Sequence, residues 1–208
     1  SIYFNPKSDN KYEIKHWGII NLKKHKCNHI LPRKKTNCEK PCVYKNNESD
    51  IFYCKQHKVK NSKKCIESLF ELNKNLILKL DELPELYSSE YIILENQPTF
   101  APKMKTIASS IYTYYLMRIG VNNESLNDIC YINPKYKILK VPYTGDYKSE
   151  KKRKYDQYKD LAIQYTRFFL KNNDEKWSSY FENNKKKDDL SDSFLNAVAY
   201  IMIYLNNL

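Results

Sequence analysis

The sequence predicts an α/β fold in which a short buried strand lies among amphipathic helices. The strand Tyr91–Glu95 is apolar up to its last residue, which is typical of a strand covered on both faces. Segments 61–80 and 104–119 repeat apolar residues with the period of a helix, and segment 189–205 is nearly apolar after its first turn. The chain of 208 residues is long enough for one sizeable domain.

The first elements along the chain are predicted to form a hairpin. Residues 1–5 are expected to be one strand, residues 6–10 a turn, and residues 12–22, which partly alternate apolar and polar side chains, a second strand. Residues 25–60 have no clean period and contain four of the six cysteines. This segment is therefore expected to need something other than a hydrophobic core to fold.

The remaining elements follow from periodicity and from breaking residues. In chain order they are a helix at 61–80 with Ser62 as its cap, the strand Tyr91–Glu95, a helix at 104–119 stopped by Gly120, strand-like pieces at 129–132 and 138–141, a long basic helix at 147–170, and the last helix at 189–205.

The composition favours a polyanionic partner and an intracellular location. The net charge is +12 and charged residues make up 29% of the chain. Part of this charge reflects a biased composition of the kind that an AT-rich genome would produce. The same bias shows in the 19 tyrosines and only 3 glycines of the chain. No signal peptide or membrane-spanning segment is visible, so the cysteines are expected to be thiols or metal ligands rather than disulfides, and no membrane partner is expected.

Three carboxylates are candidates for a divalent-metal site. Asp189 and Asp192 are three positions apart on the predicted last helix, where side chains are neighbours about 5–6 Å apart. Glu95 ends the buried strand, and the apolar face of the last helix is expected to pack on that sheet. Hard oxygen ligands of this kind bind Mg²⁺ or Mn²⁺ against phosphate. The alternative is that Asp188 and Asp189 only balance the helix dipole and that Glu95 is solvated.

A second candidate site is a cluster of cysteine and histidine residues. Its members fall within about thirty residues, the spacing scale of small zinc sites: Cys27, Cys38, Cys42, Cys54 and His57. Cys54 and His57 have the tight spacing of a zinc knuckle, and Cys27 with either Cys38 or Cys42 would complete a tetrahedral site, with His29 as a substitute ligand. The alternative is a set of unrelated reduced cysteines.

Two segments resemble the RuvC-type Holliday junction resolvases, most closely the branch found in large DNA viruses. One is Ile-Leu-Glu-Asn-Gln-Pro at 93–98, followed by Lys-Met-Lys-Thr-Ile at 103–107. The other is Lys-Lys-Asp-Asp-Leu-Ser-Asp-Ser-Phe-Leu at 186–195, which resembles the catalytic C-terminal helix of that family. The strand at 17–22 and the helix around Arg153 also match, so the resemblance spans nearly the whole chain.

The resemblance implies an RNase H-like mixed sheet flanked by helices. It implies a single nuclease domain over 1–208 with a zinc-binding module inserted at 25–60. By position, Glu95, Asp189 and Asp192 would be the catalytic ligands of Mg²⁺ or Mn²⁺, and Asp188 would be a second-choice ligand. The Cys/His pattern of the viral branch implies a structural Zn²⁺ bound by Cys27, Cys38, Cys54 and His57. In that pattern Cys38 is the ligand and Cys42 replaces a small residue.

The sequence departs from the family at its first strand. That strand normally carries an aspartate in an Asp-x-Gly context, and Asp9 lies in the predicted turn instead. The resemblance therefore implies an N-terminally incomplete chain with three of four expected carboxylates. Such a chain is expected to bind branched DNA but to cut it poorly, and restoring an upstream strand is expected to restore cutting.

Basic residues near these segments are candidates for phosphate contact, which depends on salt and not on sequence. Solvated surface is the alternative for each of them. The predicted DNA-binding residues are Lys103, Lys105, Lys151, Lys152, Arg153, Lys154, Lys186 and Lys187.

The function expected from the sequence is a metal-dependent, structure-selective endonuclease that resolves four-way DNA junctions, acting as a homodimer. Two alternatives are a catalytically impaired DNA-binding protein and another RNase H-like nuclease, such as a transposase or an RNA:DNA hybrid nuclease. If the protein is viral, it is expected in the host cytoplasm or nucleus at sites of viral DNA replication.

Overall fold

The computed structural model describes residues 1–4, 12–23, 25–121, 126–143, 145–171 and 175–205. These residues form a mixed α/β protein with small sheets and six α-helices. The chain divides into two compact units, one made of Ser1–Ile19 and Glu85–Leu208 and the other of Ile20–Pro84. The second unit is wider than the predicted 25–60 insertion. The predicted turn at 6–10, with Asp9, lies outside the described residues.

The helices and strands follow in chain order. They are β1 (Ile2–Phe4), β2 (Tyr12–Ile14), β3 (Ile30–Leu31), β4 (Thr36–Asn37), β5 (Tyr44–Asn46), β6 (Phe52–Tyr53), β7 (Ser62–Lys64), α1 (Leu69–Asp81), β8 (Tyr91–Glu95), α2 (Pro102–Tyr115), β9 (Asp128–Ile132), α3 (Tyr136–Leu139), α4 (Lys154–Lys171), α5 (Glu175–Asn183) and α6 (Lys187–Tyr200). Wider π-helical turns continue α2 to Gly120 and α6 to Leu205.

The described strands form four small sheets. β1 and β2 pair antiparallel, which is the predicted N-terminal hairpin. In the second unit β3 pairs with β4, and β5 lies between β6 and β7. β8 pairs in parallel with β9, with Tyr91 opposite Asp128 and Glu95 opposite Ile132. Among the described residues β8 has β9 as its single partner, so the larger RNase H-like sheet stays a prediction.

The core of the first unit forms around α6. After its first turn α6 is almost entirely buried, and α4 packs against it. Trp17 stacks on Phe181 with ring centroids 5.5 Å apart, and its Nε1 donates to the carbonyl oxygen of Leu190 at 3.2 Å. The indole therefore ties the N-terminal segment of this unit to α5 and α6.

The helix predicted at 61–80 begins later than expected. Residues 62–64 form β7, because their backbone groups pair with β5, a partner that a local helical period cannot show. The cap is Ser68 rather than Ser62, and its hydroxyl accepts the backbone N–H of Glu71 at 3.1 Å. From Leu69 onward the helical prediction is confirmed.

Three other predicted boundaries are wrong. The second strand ends at Ile14, so residues 17–22 are irregular, and residues 138–141 include the end of α3 rather than a strand. The basic helix begins at Lys154 and not at 147, because the hydroxyls of Tyr147 and Ser149 both donate to Asp160 and hold that segment beside α4.

α5 was not predicted. None of the described helices is both long and apolar enough to cross a bilayer.

Candidate metal centre and carboxylate site

Four side chains of the second unit converge on one point. The ligand atoms of Cys27, Cys38, Cys54 and His57 all lie within 4.8 Å of one another, and the three cysteines are buried. Nδ1 of His57 is 3.5 Å from Sγ of Cys27 and 3.5 Å from Sγ of Cys54. Tetrahedral ligands at Zn–S distances of about 2.3 Å would be about 3.8 Å apart. This cluster could therefore hold a metal ion such as zinc.

Short hairpins place these ligands. Cys27 lies before β3 and Cys38 directly follows β4, so the β3–β4 hairpin is closed at its base by two ligands. The backbone N–H of Cys38 donates to the carbonyl of His29 at 2.8 Å, and Leu31 packs against the cysteines. After β6, a single helical turn returns His57 to Cys54. With so few aliphatic residues in this region, a bound metal would contribute much of its folding free energy.

The local electrostatics favour the metal-binding forms of His57 and Cys54 and disfavour the thiolate of Cys27. Burial lowers the pKa of His57, helped by the nearby charges of His29 and Lys40, and keeps the imidazole neutral, the form that binds metal. Burial raises the pKa of Cys27. Burial alone would also raise the pKa of Cys54. Hydrogen bonds from backbone N–H groups of the turn that follows outweigh this effect and lower the pKa of the Cys54 thiol.

The choice between Cys38 and Cys42 follows from packing. Cys42 is buried beside Cys65, and burial together with that thiol raises the pKa of Cys42 to about 11. Cys42 is not among the four residues whose ligand atoms gather within 4.8 Å of one another, whereas Cys38 is. His29, the substitute ligand considered from the sequence, stacks on the ring of His57 with centroids 3.9 Å apart.

In the first unit, two of the predicted carboxylates meet at a lysine. Nζ of Lys137 is 3.1 Å from Oε2 of Glu95 and 2.8 Å from Oδ1 of Asp192. Glu95 is the last residue of β8, and Asp192 lies early in α6. The two acids therefore converge on one cationic group, as the packing of the last helix predicted.

Asn196 holds the same carboxylate from the other side. Its Nδ2 donates to Oε2 of Glu95 at 3.0 Å, and its side chain is buried. It lies one helical turn beyond Asp192, on the face that also carries Asp189. Sequence reasoning missed Asn196 and Lys137. The helical spacing from Asp192 could have indicated Asn196, whereas nothing local marks Lys137.

The pKa values of Asp192 and Lys137 are both shifted at this site. Burial raises the pKa of Asp192, and Lys137 only partly opposes this. Burial alone would lower the pKa of Lys137, but hydrogen bonds and proximity to Asp192 and Glu95 raise it above its ordinary value. Lys137 is therefore a fixed positive charge at neutral pH.

The other two predicted acids contact different lysines. Asp189, about half exposed at 52%, accepts a hydrogen bond from Lys186 at 2.9 Å. Asp188 pairs with Lys159 at 2.7 Å, which lowers the pKa of Asp188. Across the described ranges, the Cys/His cluster is the one group whose ligand atoms gather closely enough for a metal ion. The structure thus unites Glu95 with Asp192 but leaves Asp188 and Asp189 apart.

The predicted DNA-binding residues have mixed surroundings. Lys103 and Lys105 are exposed in the first turn of α2, and Lys151 and Lys152 are exposed before α4. Three others bond within the protein: Arg153 pairs with Asp156, Lys186 with Asp189, and Lys187 donates to the carbonyls of Glu182 and Asn184 at the end of α5. Lys154 lies over the ring of Tyr158.

A cleft of about 690 Å³ adjoins Asp188 in the first unit. Its basic wall is formed by Lys151, Lys159, Lys185 and Lys187. The cleft leads from the segment before α4 to the first turn of α6. The acids Asp156, Asp160, Glu182 and Asp188 line the cleft as well, so its four lysines are balanced by four carboxylates.

Comparison with known proteins gives one relative. An uncharacterized protein of Acanthamoeba polyphaga mimivirus is 35% identical over 184 residues, an alignment that covers 76% of this chain. The chain spans less than half of that protein, 44% of its length. No protein-family model matches the chain, and no solved structure matches it.

Proposed function

We propose that this protein is a metal-dependent, structure-selective endonuclease of the RuvC type that acts on four-way DNA junctions. One observation carries the proposal: Glu95 and Asp192, from the end of a strand and the start of a helix, converge on the ammonium of Lys137. Carboxylates brought together from distant elements around a cation suit binding of a divalent metal.

The chain's own residues would hold and orient the site. Asn196 and Lys137 fix Oε2 of Glu95, and the first turn of α6 adds Asp189 and Asp188, which lines the cleft. Mg²⁺ or Mn²⁺ bound by Glu95, Asp189 and Asp192 would activate water and stabilise the leaving oxygen. The lysines of the cleft would hold the phosphate backbone of the strand to be cut.

The finer assignments belong to the same proposal. The parallel β8–β9 pair packed against α6 supports an RNase H-like arrangement, the fold that the sequence resemblance implies. A homodimer would match the twofold shape of a four-way junction. The mimivirus relative supports a viral origin and therefore action where viral DNA replicates in the host.

The test is cleavage of a four-way junction with Mg²⁺ or Mn²⁺ by the chain extended with an upstream strand, because the 208-residue chain by itself is expected to cut poorly. Plain duplex and RNA:DNA hybrid are the comparison substrates. Asp189→Asn and Asp192→Asn are each expected to abolish cleavage. Junction binding should stay the same or tighten, because each change removes negative charge that faces phosphate. Asp146→Asn, at an exposed acid outside the site, is the matched control and should cut normally.

The possible outcomes separate the functions. Cleavage by Asp189→Asn and Asp192→Asn at the unmodified rate would overturn the ligand assignment. Preferred cutting of the RNA:DNA hybrid would favour another RNase H-like nuclease.

A second candidate function is junction binding without cleavage. It is favoured by the pairing of Asp188 and Asp189 with Lys159 and Lys186 instead of with Glu95. Selective junction binding by both the unmodified chain and a version extended by an upstream strand, with no cutting by either in Mg²⁺ or Mn²⁺, would support this second function.

A further inference from the structure

The second unit contains most of the net charge of the protein. Between His25 and Cys65 the sequence has eleven Lys and Arg residues against three Asp and Glu residues. This fifth of the chain therefore accounts for eight of the twelve net positive charges. A bias toward lysine codons acts on the whole chain and does not explain this concentration.

The three acids of this segment all have partners within it. Glu39 pairs with Lys26, Asp50 pairs with Lys45 at 2.6 Å, and Glu48 accepts a hydrogen bond from Asn61. None of them neutralises the tip of the β3–β4 hairpin. In the part of the chain that the structure describes, no acidic partner is found for Arg33, Lys34 or Lys35, and all three are exposed.

The hairpin presents these three residues from a rigid base. Cys27 and Cys38 of the metal cluster flank its two strands, and Leu31 packs inward against the cysteines. At the tip, the backbone N–H groups of Lys34 and Lys35 both donate to the carbonyl of Leu31. The basic tip is thus a short turn clamped at its base by the metal ligands.

The backbone of Lys35 is unusual. Its φ is 53°, the one positive value at a non-glycine residue in the described ranges. This left-handed conformation favours Gly or Asn, because the Cβ of an L-residue lies close to the following carbonyl oxygen. A lysine at such a position suggests that its side chain is needed there.

We propose that the tip formed by Arg33, Lys34 and Lys35 is a binding site for the phosphate backbone of duplex DNA. A tight turn that carries three adjacent cations fits along a groove edge and can contact consecutive phosphates. This site is separate from the carboxylates, and the proposal does not depend on cleavage there. It makes the metal-binding unit a DNA-binding element as well as a structural insertion.

The experiment measures binding of the full chain to an unbranched DNA duplex, at several salt concentrations and without added divalent metal. The test variant is Arg33→Gln, Lys34→Gln and Lys35→Gln combined. The matched control is Lys74→Gln, Lys140→Gln and Lys171→Gln combined, which removes the same charge from exposed positions elsewhere. Zinc content and thermal unfolding report whether each variant remains folded.

Loss of three phosphate contacts should lower the slope of log affinity against log salt by about 2.7, since each contact contributes about 0.9. The control should keep the slope of the unmodified chain. Equal slopes for the two variants would show that only net charge matters and would overturn the proposal. Binding confined to RNA duplex would overturn it too.

Lys35→Gly provides a second measurement that does not depend on the triple variant. Glycine adopts the left-handed conformation without strain, so zinc content and thermal stability should be maintained. The salt slope should still fall by about 0.9. An unchanged slope would remove Lys35 from the site.

Discussion

At the scale of single residues, the carboxylate site depends on a buried lysine. Lys137 is only 13% exposed, and it separates Glu95 from Asp192, which are themselves partly buried. Without it, two carboxylates would face each other in a poorly solvated place. Lys137 therefore both neutralises the site and marks the position where a cation is favoured.

We expect Lys137→Met to destabilise the metal-free protein by about 1–3 kcal/mol at pH 7. Removing one member of a fully buried ion pair costs about 3–5 kcal/mol, and the solvent exposure of both acids reduces this. Because the folded pKa of Lys137 is raised, its contribution is complete below the ordinary lysine pKa and is lost only as the pH rises through the folded value. Urea unfolding measures the difference.

The effect of Lys137→Met should also depend on acid pH. Removing Lys137 takes away an influence that lowers the pKa of Asp192, so that pKa should rise further. Protonation then relieves the repulsion, and the destabilisation should be smaller near pH 4 than at pH 7. Lys140→Met, at an exposed neighbour, is the control and should change stability by less than about 0.5 kcal/mol. A loss that does not vary with pH would contradict this account.

At the scale of secondary-structure elements, the second unit combines very short strands with a ligand cluster. Strands β3, β4 and β6 have two residues each, too few to be stable as isolated hairpins. Cys38 directly follows β4, Cys54 directly follows β6 and Cys27 precedes β3, so the ligand cluster joins these short elements. The stability of these elements is thus expected to depend on metal.

Cysteine substitutions distinguish ligand from neighbour. Cys38→Ser is expected to lose the metal, whereas Cys42→Ser should retain about one zinc per chain, the content of a single four-ligand site. Metal analysis of protein purified without chelator gives the stoichiometry. Zinc loss from Cys42→Ser with retention in Cys38→Ser would reverse the assignment. Chelation of the metal should unfold the hairpins of the unmodified protein.

At the scale of the whole molecule, each unit has its own source of stability. The first unit has a hydrophobic core centred on Trp17, Phe181 and Leu195, and the second has buried cysteines in place of a large core. Different treatments should therefore unfold them: removal of metal for the second unit and loss of core packing for the first.

We expect Trp17→Ala to destabilise the first unit by about 3–5 kcal/mol. The change removes a buried ring that stacks on Phe181, along with its hydrogen bonds to Leu190 and Ser193. Urea unfolding measures the loss, and the zinc content should stay unchanged. Phe100→Ala, at a ring that is 86% exposed, is the control and should be nearly neutral. Equal effects of the two changes would show that the Trp17 contacts are not stabilising.

Features that depend on neighbours along the chain could be predicted from the amino-acid sequence. The period of apolar residues located β8, α2 and α6, and the spacing of Cys54 and His57 indicated a metal site, because these patterns repeat locally. Glu95 was also identifiable from its position at the end of a strand, and Asp192 from its spacing of three residues from Asp189 on one helical face.

Features that depend on residues far apart in the chain required the three-dimensional structure. It selected Cys38 over Cys42, made 62–64 a strand of the second unit, and brought Lys137 and Asn196 to Glu95. Asn196 and Glu95 are 101 positions apart, and no local pattern encodes such a contact. The physical reason is that helix and strand periods depend on neighbouring residues, whereas ligand choice and ion pairing depend on which elements pack together.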